Sequence, residues 1–199
     1  MPPNILQRIK RKIEINYEKL QGLDFSKTVS PEVLGLDSKF VSPGSPSGNK
    51  YLKNCLSSLN INKNDRILYI GCAKGSVIKY LQMFPFEYVH GIELSNYLSE
   101  TAIKNFKRLK KNNVKIFNQD AKKFNRYTDY NYFYMYNPFP KVIMKDVLNE
   151  IITQNFSNQT LYIVYNNPVC HDTILSSGFL KISEHDDLWG NKIFCYKFK

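Results

Sequence analysis

No apolar run in this chain approaches the roughly 18 residues that a membrane-spanning helix needs. Its first residues also lack the short apolar core and small-residue cleavage site of a secretory signal. Cysteine is scarce: Cys55, Cys72, Cys170 and Cys195 stand far apart, with no Cys-x-x-Cys pair. Together these absences predict reduced thiols in a cytoplasmic protein rather than a disulfide framework or a zinc site. Acidic residues are in deficit, 17 against 28 lysines and arginines, for a formal charge of +11. Such a balance attracts acidic or polyanionic partners over long range, and it serves solubility equally. Histidine is rarer still. His90 falls inside an apolar run, and His171-Asp172 are adjacent residues that point apart on a helix. His185-Asp186-Asp187 lacks a second cluster to complete a metal site. All three histidines read as structural, and no metal is predicted.

What is present is enough for a globular protein. Hydrophobic residues make up 43% and aromatics 14% of 199 residues, the size of one domain with a sheet covered on both faces. Residues 1–22 carry helical spacing, with Ile5, Leu6, Ile9 and Ile13 on one face and Arg8, Lys10, Arg11 and Lys12 opposite or beside them. This helix is expected to pack on the domain; contact with a membrane surface is the alternative for a basic amphipathic helix. Residues 23–48 are rich in turn formers. Ser42-Pro43-Gly44-Ser45-Pro46-Ser47-Gly48 within them predicts a long loop. Tyr51, Leu52, Cys55, Leu56 and Leu59 then mark a helix with one apolar face.

From there strands and helices alternate. Strand-like runs are Arg66–Ile70, Tyr88–Leu94, Val114–Asn118, Tyr130–Tyr136 and Leu161–Tyr165. Helix-like segments are Lys74–Met83, Asn96–Lys110, Lys141–Gln154 and Val169–Ser176, the last closed by Gly178. Leu180–Glu184 and Lys192–Phe198 read as two strands joined around Trp189-Gly190-Asn191. The alternation predicts an α/β fold with a parallel sheet, right-handed crossovers and a terminal hairpin. No internal repeat is present.

The chemistry concentrates where the strands stop, since open parallel sheets bind ligands outside the carboxyl ends of their strands. The first strand stops at Gly71, and Gly75 follows four residues later. Glycines suit a strand-to-helix turn that brings backbone amides against a ligand, because a Cβ would obstruct the turn or the approach. The second strand stops at Glu93, 18 residues after Gly75, where a carboxylate can accept both hydroxyls of a ribose. The third stops at Asp120, an acceptor suited to the exocyclic amine of adenine, with small Ala121 beside it. The fourth stops at Tyr136-Asn137-Pro138-Phe139, which brings an amide and an aromatic face to the same cleft. Each of these residues alone reads equally as a cap or turn former.

Gly71-Cys72-Ala73-Lys74-Gly75, Gly91-Ile92-Glu93-Leu94-Ser95, Asp120-Ala121 and Tyr136-Asn137-Pro138-Phe139 resemble the successive motifs of class I S-adenosylmethionine-dependent methyltransferases. They are most similar to a small bacterial group that pairs a Gly-Cys-Gly-Lys-Gly turn with an Asn-Pro-Phe strand end. The resemblance runs from about Val33 to Phe198 and includes Tyr165-Asn166-Asn167-Pro168. It implies a Rossmann-like, three-layer α/β/α fold with a seven-stranded, mostly parallel sheet whose last strand is antiparallel. It further implies S-adenosylmethionine as cofactor and S-adenosylhomocysteine as product. Gly71, Cys72, Ala73 and Gly75 would face the methionine part, Glu93 with Leu94 the ribose side, and Asp120 with Ala121 the adenine. Asn137 would lie beside the transferred methyl as the catalytic residue, with Pro138 and Phe139 on the acceptor. Residues 51–199 would form the methyltransferase-like domain, and residues 1–50 a helix and loop covering the site.

Two positions depart from the family pattern. Tyr69 stands where the family has an acidic residue that meets the cofactor's ammonium group, and Ala73 where it has glycine, so that alanine is asked for a positive φ. One prolyl residue is also missing from the Asn-Pro-Pro-aromatic signature of enzymes that methylate planar amino groups, so no adenine substrate is inferred. Three functional readings follow. The first is a methyltransferase for a small-molecule or glycan-like acceptor. The second is a nucleic-acid methyltransferase drawing on Lys104, Lys107, Arg108, Lys110, Lys111 and Lys115, interleaved with Phe106 and Phe117. The third is a weakened pocket retained as a binding module.

Overall fold

The computed structural model describes residues 5–29, 34, 50–155, 159–187 and 190–198. The expected loop Ser42–Gly48 lies outside these residues, as does Trp189 of the expected hairpin turn. Seven strands form one sheet: β1 (Arg66–Ile70), β2 (Tyr88–Glu93), β3 (Val114–Asn118), β4 (Tyr132–Tyr136), β5 (Leu161–Asn166), β6 (Leu180–Asp186) and β7 (Lys192–Phe198). Their spatial order is β3-β2-β1-β4-β5-β7-β6. β7 runs antiparallel to both neighbours, and the remaining pairings are parallel. The order reverses between β1 and β4, so a crevice opens at their carboxyl ends. The expectation of a seven-stranded, mostly parallel sheet with an antiparallel last strand is met.

Alternation along the buried strands divides the core in two. Ile67, Tyr69, Tyr134 and Val164 face α2 (Lys50–Ser57), α3 (Ile78–Leu81) and α4 (Asn96–Arg108), where Leu52, Ile78 and Phe106 meet them. Leu68, Ile70, Met135 and Tyr165 face α5 (Lys141–Gln154), α6 (His171–Ser176) and two 3-10 turns at Ala121–Lys123 and Tyr127–Asp129. Each such buried side chain contributes roughly 1.5–3 kcal/mol by leaving water. Five tyrosines, Tyr69, Tyr132, Tyr134, Tyr165 and Tyr196, are buried among the strands.

Two element boundaries differ from expectation for local reasons. The helix anticipated over Lys74–Met83 is reduced to Ile78–Leu81, because residues 71–77 are occupied by a turn with positive φ at Gly71, Ala73 and Gly75. Strand β4 begins at Tyr132, because Tyr130 closes the preceding 3-10 turn and Asn131 bonds outward to Arg66 and Tyr162.

The N-terminal helix α1 (Ile5–Leu20) forms as expected, but its packing does not follow its apolar face. Ile9 is 49% and Ile13 63% exposed. The helix is held instead at its carboxyl end by a polar clamp. Buried Glu18 accepts from the amides of Phe25 and Ser26 and from the Ser26 hydroxyl, at 2.8–2.9 Å. That clamp turns the chain so that Phe25 packs edge-on against Phe106, 5.6 Å between ring centroids. No helix of the described residues is long and apolar enough to cross a membrane.

Candidate functional site

The turn after β1 is built from three left-handed residues in alternation: Gly71 (φ 75°), Ala73 (φ 46°) and Gly75 (φ 84°). The amides of Gly71 and Cys72 both donate to the carbonyl of Ile92, which ties the turn to the end of β2. Gly75 is required twice over. Its φ disfavours other residues, and a Cβ would sit 2.5 Å from the Phe106 ring. A Cβ on Gly71 would lie 3.0 Å from Cβ of Pro138, so the β1 turn and the β4 end face each other across the crevice. Cys72 is buried with its sulfur against Gly91, where a Cβ would come within 2.6 Å of it. Cys72 therefore packs the turn onto β2.

Glu93 is buried at the end of β2. One carboxylate oxygen accepts from the Ala73 amide at 2.8 Å and the other from the Ser95 amide at 2.9 Å. Burial pushes its pKa up, against the opposing pull of the Ser95, Ala73 and Leu94 amides. A carboxylate has about four acceptor sites, so two amides leave capacity for further donors. The alanine at position 73 thus does adopt positive φ, and its amide is held there by the acidic residue the sequence singles out.

The neighbouring Lys74 is buried and ion-paired at 2.6 Å with Asp24 of the N-terminal segment; the side chains are 4% and 35% exposed. Asn105 of α4 completes this junction. Its amide group exchanges hydrogen bonds with both backbone groups of Asp24 and donates to the Lys74 carbonyl. Sequence spacing does not reveal this triad, because its members lie 31 to 81 residues apart.

Asp120 follows β3 and is half-buried; it accepts from the Lys122 amide at 2.9 Å as the cap of the first 3-10 turn, which begins at Ala121. Leu94 is exposed beside Glu93. Asn137, Pro138 and Phe139 follow β4 and are half-buried. Asn137 has φ 37°, a conformation asparagine tolerates better than most residues, and its Oδ1 accepts from the Tyr165 hydroxyl at 3.3 Å. Tyr165 in turn accepts from the Cys170 amide. Gly71, Cys72, Ala73, Gly75, Glu93, Leu94, Asp120, Ala121 and Asn137–Phe139 all sit at the carboxyl edges of β1–β4.

Asn166, one strand further on, carries the clearest unmet polar capacity. It ends β5 in register with Tyr136, is fully buried, and neither its Nδ2 nor its Oδ1 has a hydrogen-bond partner among the described residues. An unpaired buried amide costs roughly 1–3 kcal/mol per group. The sequence signal for it was the Tyr165-Asn166-Asn167-Pro168 stretch, which repeats the Asn-Pro strand end of β4. Asn167, like Asn137, has positive φ (52°).

The basic, aromatic-interleaved cluster, split between α4 and β3, divides differently. Lys104 is 78% exposed, but Phe106 is core and packs under Gly75 and Phe25. Phe117 stacks inward, edge-on to Phe124. Phe106 is therefore not presented for stacking on a base, whereas half-buried Phe117 lies under Lys115 and Arg126.

No family model and no curated protein sequence matches the chain. Solved structures match widely at low identity. A S-adenosylmethionine-dependent methyltransferase from Aquifex aeolicus aligns over 96% of this chain and 97% of its own, with 12% identity and a TM-score of 0.58. A point mutant of MtNAS in complex with S-adenosylmethionine aligns over 75% of this chain with 17% identity and a TM-score of 0.60. The present chain spans 60% of the length of that protein. A fibrillarin/Nop5p complex contributes a further match, at 14% identity and a TM-score of 0.57 over 76% of this chain. The fold of this chain is that of the S-adenosylmethionine-dependent methyltransferases.

Proposed function

We propose that this chain is an S-adenosylmethionine-dependent methyltransferase acting on a small-molecule or glycan-like acceptor. The observation that carries the reading is the contact between the Gly71 turn and Pro138 across the point where strand order reverses. It joins a backbone cradle, which any Cβ at Gly71 would fill, to a polar strand end two strands away from Glu93. The residues fit the cofactor by donor type. Glu93 retains acceptor capacity for ribose hydroxyls, Asp120 is an acceptor for the adenine amine beside small Ala121, and exposed Leu94 offers apolar cover. Gly71, Cys72, Ala73 and Gly75 form the wall for the methionine part.

When bound, the cofactor supplies an electrophilic methyl on a sulfonium, and its sulfur keeps the electron pair of the broken bond. The protein's work is alignment. Asn137, oriented by Tyr165, positions the acceptor atom, and Pro138 and Phe139 wall the acceptor. The N-terminal segment would serve as the cover, its described part, residues 5–29, being fastened to the cofactor turn through Asp24 and Lys74. A nucleic-acid acceptor would draw on charge and on half-buried Phe117, since Phe106 belongs to the core.

Isothermal titration with S-adenosylmethionine and S-adenosylhomocysteine tests the proposal. Saturable one-to-one binding is expected, weakened roughly tenfold by Asp120→Ala through loss of a hydrogen bond. No heat and no thermal shift at millimolar ligand would overturn it in favour of a binding module. Salt-sensitive capture of RNA would move the acceptor to nucleic acid.

A further inference from the structure

The sheet edge remote from the cofactor turn holds a second constellation. Cys55 on α2, His185 on β6 and Cys195 on β7 each offer a donor atom, and the three donors lie within 4.8 Å of one another. It is the one such cluster of His, Cys, Asp and Glu among the described residues. Sequence spacing hides it, since 140 residues separate the two cysteines. Topology makes it. β6 pairs antiparallel with β7 so that Ser183 meets Cys195 and His185 meets Ile193. Strand alternation then puts Ser183, His185 and Cys195 on the face that packs against α2.

We propose that Cys55, Cys195 and His185 bind a thiophilic divalent cation of the zinc type, as a site separate from methyl transfer. Two thiolates and an imidazole are the donor set that zinc takes in tetrahedral sites. A tetrahedral centre separates its donors by about 3.6–3.8 Å, from bond lengths near 2.3 Å to sulfur and 2.0–2.1 Å to nitrogen. The two sulfurs stand 3.2 Å apart, so roughly half an ångström of opening admits the ion.

Charge favours the same reading. Both cysteines are buried and free of any disulfide. Two thiolates cannot share that site alone, but two thiolates, a neutral imidazole and a divalent cation sum to zero charge. Binding therefore releases two thiol protons to solvent, with no change of oxidation state. Nε2 of His185 lies 3.2 Å from the hydroxyls of both Ser58 and Ser183, so an ion taken at that nitrogen displaces these two contacts. His185 lines a cleft of about 490 Å³ with Tyr51, Asn54, Asp186 and Lys192, which gives an ion entry and leaves a fourth position for water. The ion ties α2, which precedes the cofactor strand, to the terminal hairpin.

The test uses the full chain, reduced with a phosphine and stripped with chelator, without S-adenosylmethionine, so that it stands apart from the methyltransferase reading. Cobalt(II) is expected to bind one to one with a sulfur-to-metal charge-transfer band, and zinc to displace it. X-ray absorption of the zinc form should show two sulfur and one protein nitrogen neighbours. Saturating zinc should raise the melting temperature by roughly 5 °C or more. Cys55→Ala and Cys195→Ala should abolish the band. His185→Gln lies at the cleft rim and keeps the test valid where a core cysteine variant fails to fold. It should weaken zinc by more than the roughly 10- to 100-fold that losing an outer-shell partner costs. Absence of the band in the reduced protein would overturn the proposal. So would an unaltered zinc affinity in His185→Gln, or a Cys55–Cys195 disulfide in air with no metal uptake after reduction.

Discussion

The two halves of the sheet's carboxyl edge handle their polar groups in opposite ways. At the carboxyl ends of β1 and β2 three buried polar side chains are answered from within the chain: Glu93 by the amides of Ala73 and Ser95, Lys74 by Asp24, and Asn105 by the backbones of residues 24 and 74. Around β5, Asn166 is as deeply buried and its amide bonds to nothing among the described residues. The contrast separates rigidity from readiness. A turn with three left-handed residues keeps its shape only if its surroundings over-determine it. An amide left unpaired in the interior is a cost to folding that a ligand can repay.

The largest effect should come from breaking the rigid half. Gly75→Ala drives a Cβ into the Phe106 ring at 2.5 Å and asks alanine for φ near +84°. A loss of about 3–4 kcal/mol is expected from overpacking and left-handed strain together, measured by urea unfolding. A loss below about 1 kcal/mol would mean that the turn is softer than its hydrogen bonds imply.

Breaking the other half should have the opposite sign. Asn166→Leu removes an unpaired buried amide at similar volume and should stabilise the fold by about 1–2 kcal/mol. Turnover should fall through the acceptor's KM or kcat, with cofactor affinity unchanged. A destabilised Asn166→Leu, or weaker cofactor binding, would erase the distinction between the halves.

His90 supplies a control on the β2 side. Burial, with Lys115 and Arg126, lowers its pKa from 6.5 to about 4, while it stacks on Tyr88 and bonds to the Tyr130 hydroxyl. Its folded pKa is below its unfolded one, so the unfolded chain binds more protons between those values. Stability from this group is full above pH 6.5 and is lost as pH falls towards 4. His90→Gln should flatten that part of a stability profile; an unchanged slope would reassign it to other groups.

The smallest effect should come from Ala73→Gly. Glycine relieves the positive φ at 73 but gains freedom in the unfolded chain, so the two changes largely offset. S-adenosylmethionine should bind tighter by about fivefold or less. Looser binding would show that the alanine is an adaptation of the rigid half. Tyr69→Asp is a poor companion substitution, because Tyr69 packs edge-on to Tyr134 in the core and a carboxylate there would be buried.

Much was legible in the residues alone. The alternating pattern located all seven strands, since a buried strand must be apolar to satisfy a core on both faces. That Gly71, Glu93, Asp120 and Asn137 stand at strand ends was legible because strand ends are read locally, a few residues at a time. The short α3 was not, because Ile78 and Leu81 keep helical spacing while the left-handed turn takes residues 71–77. The α1 face misled because hydrophobic periodicity reports a helix and not its partner, and here Glu18 rather than Ile9 or Ile13 makes the anchor.

What the sequence by itself determined, then, was local: which segments extend, which coil, and which polar residues stop each strand. Which polar groups pair was decided only by the tertiary structure, because pairing depends on distance in space and not along the chain. Lys74 finding Asp24, Asn166 finding no partner among the described residues, and Cys55 meeting His185 and Cys195 follow from how α2, α4 and the terminal hairpin pack on one sheet.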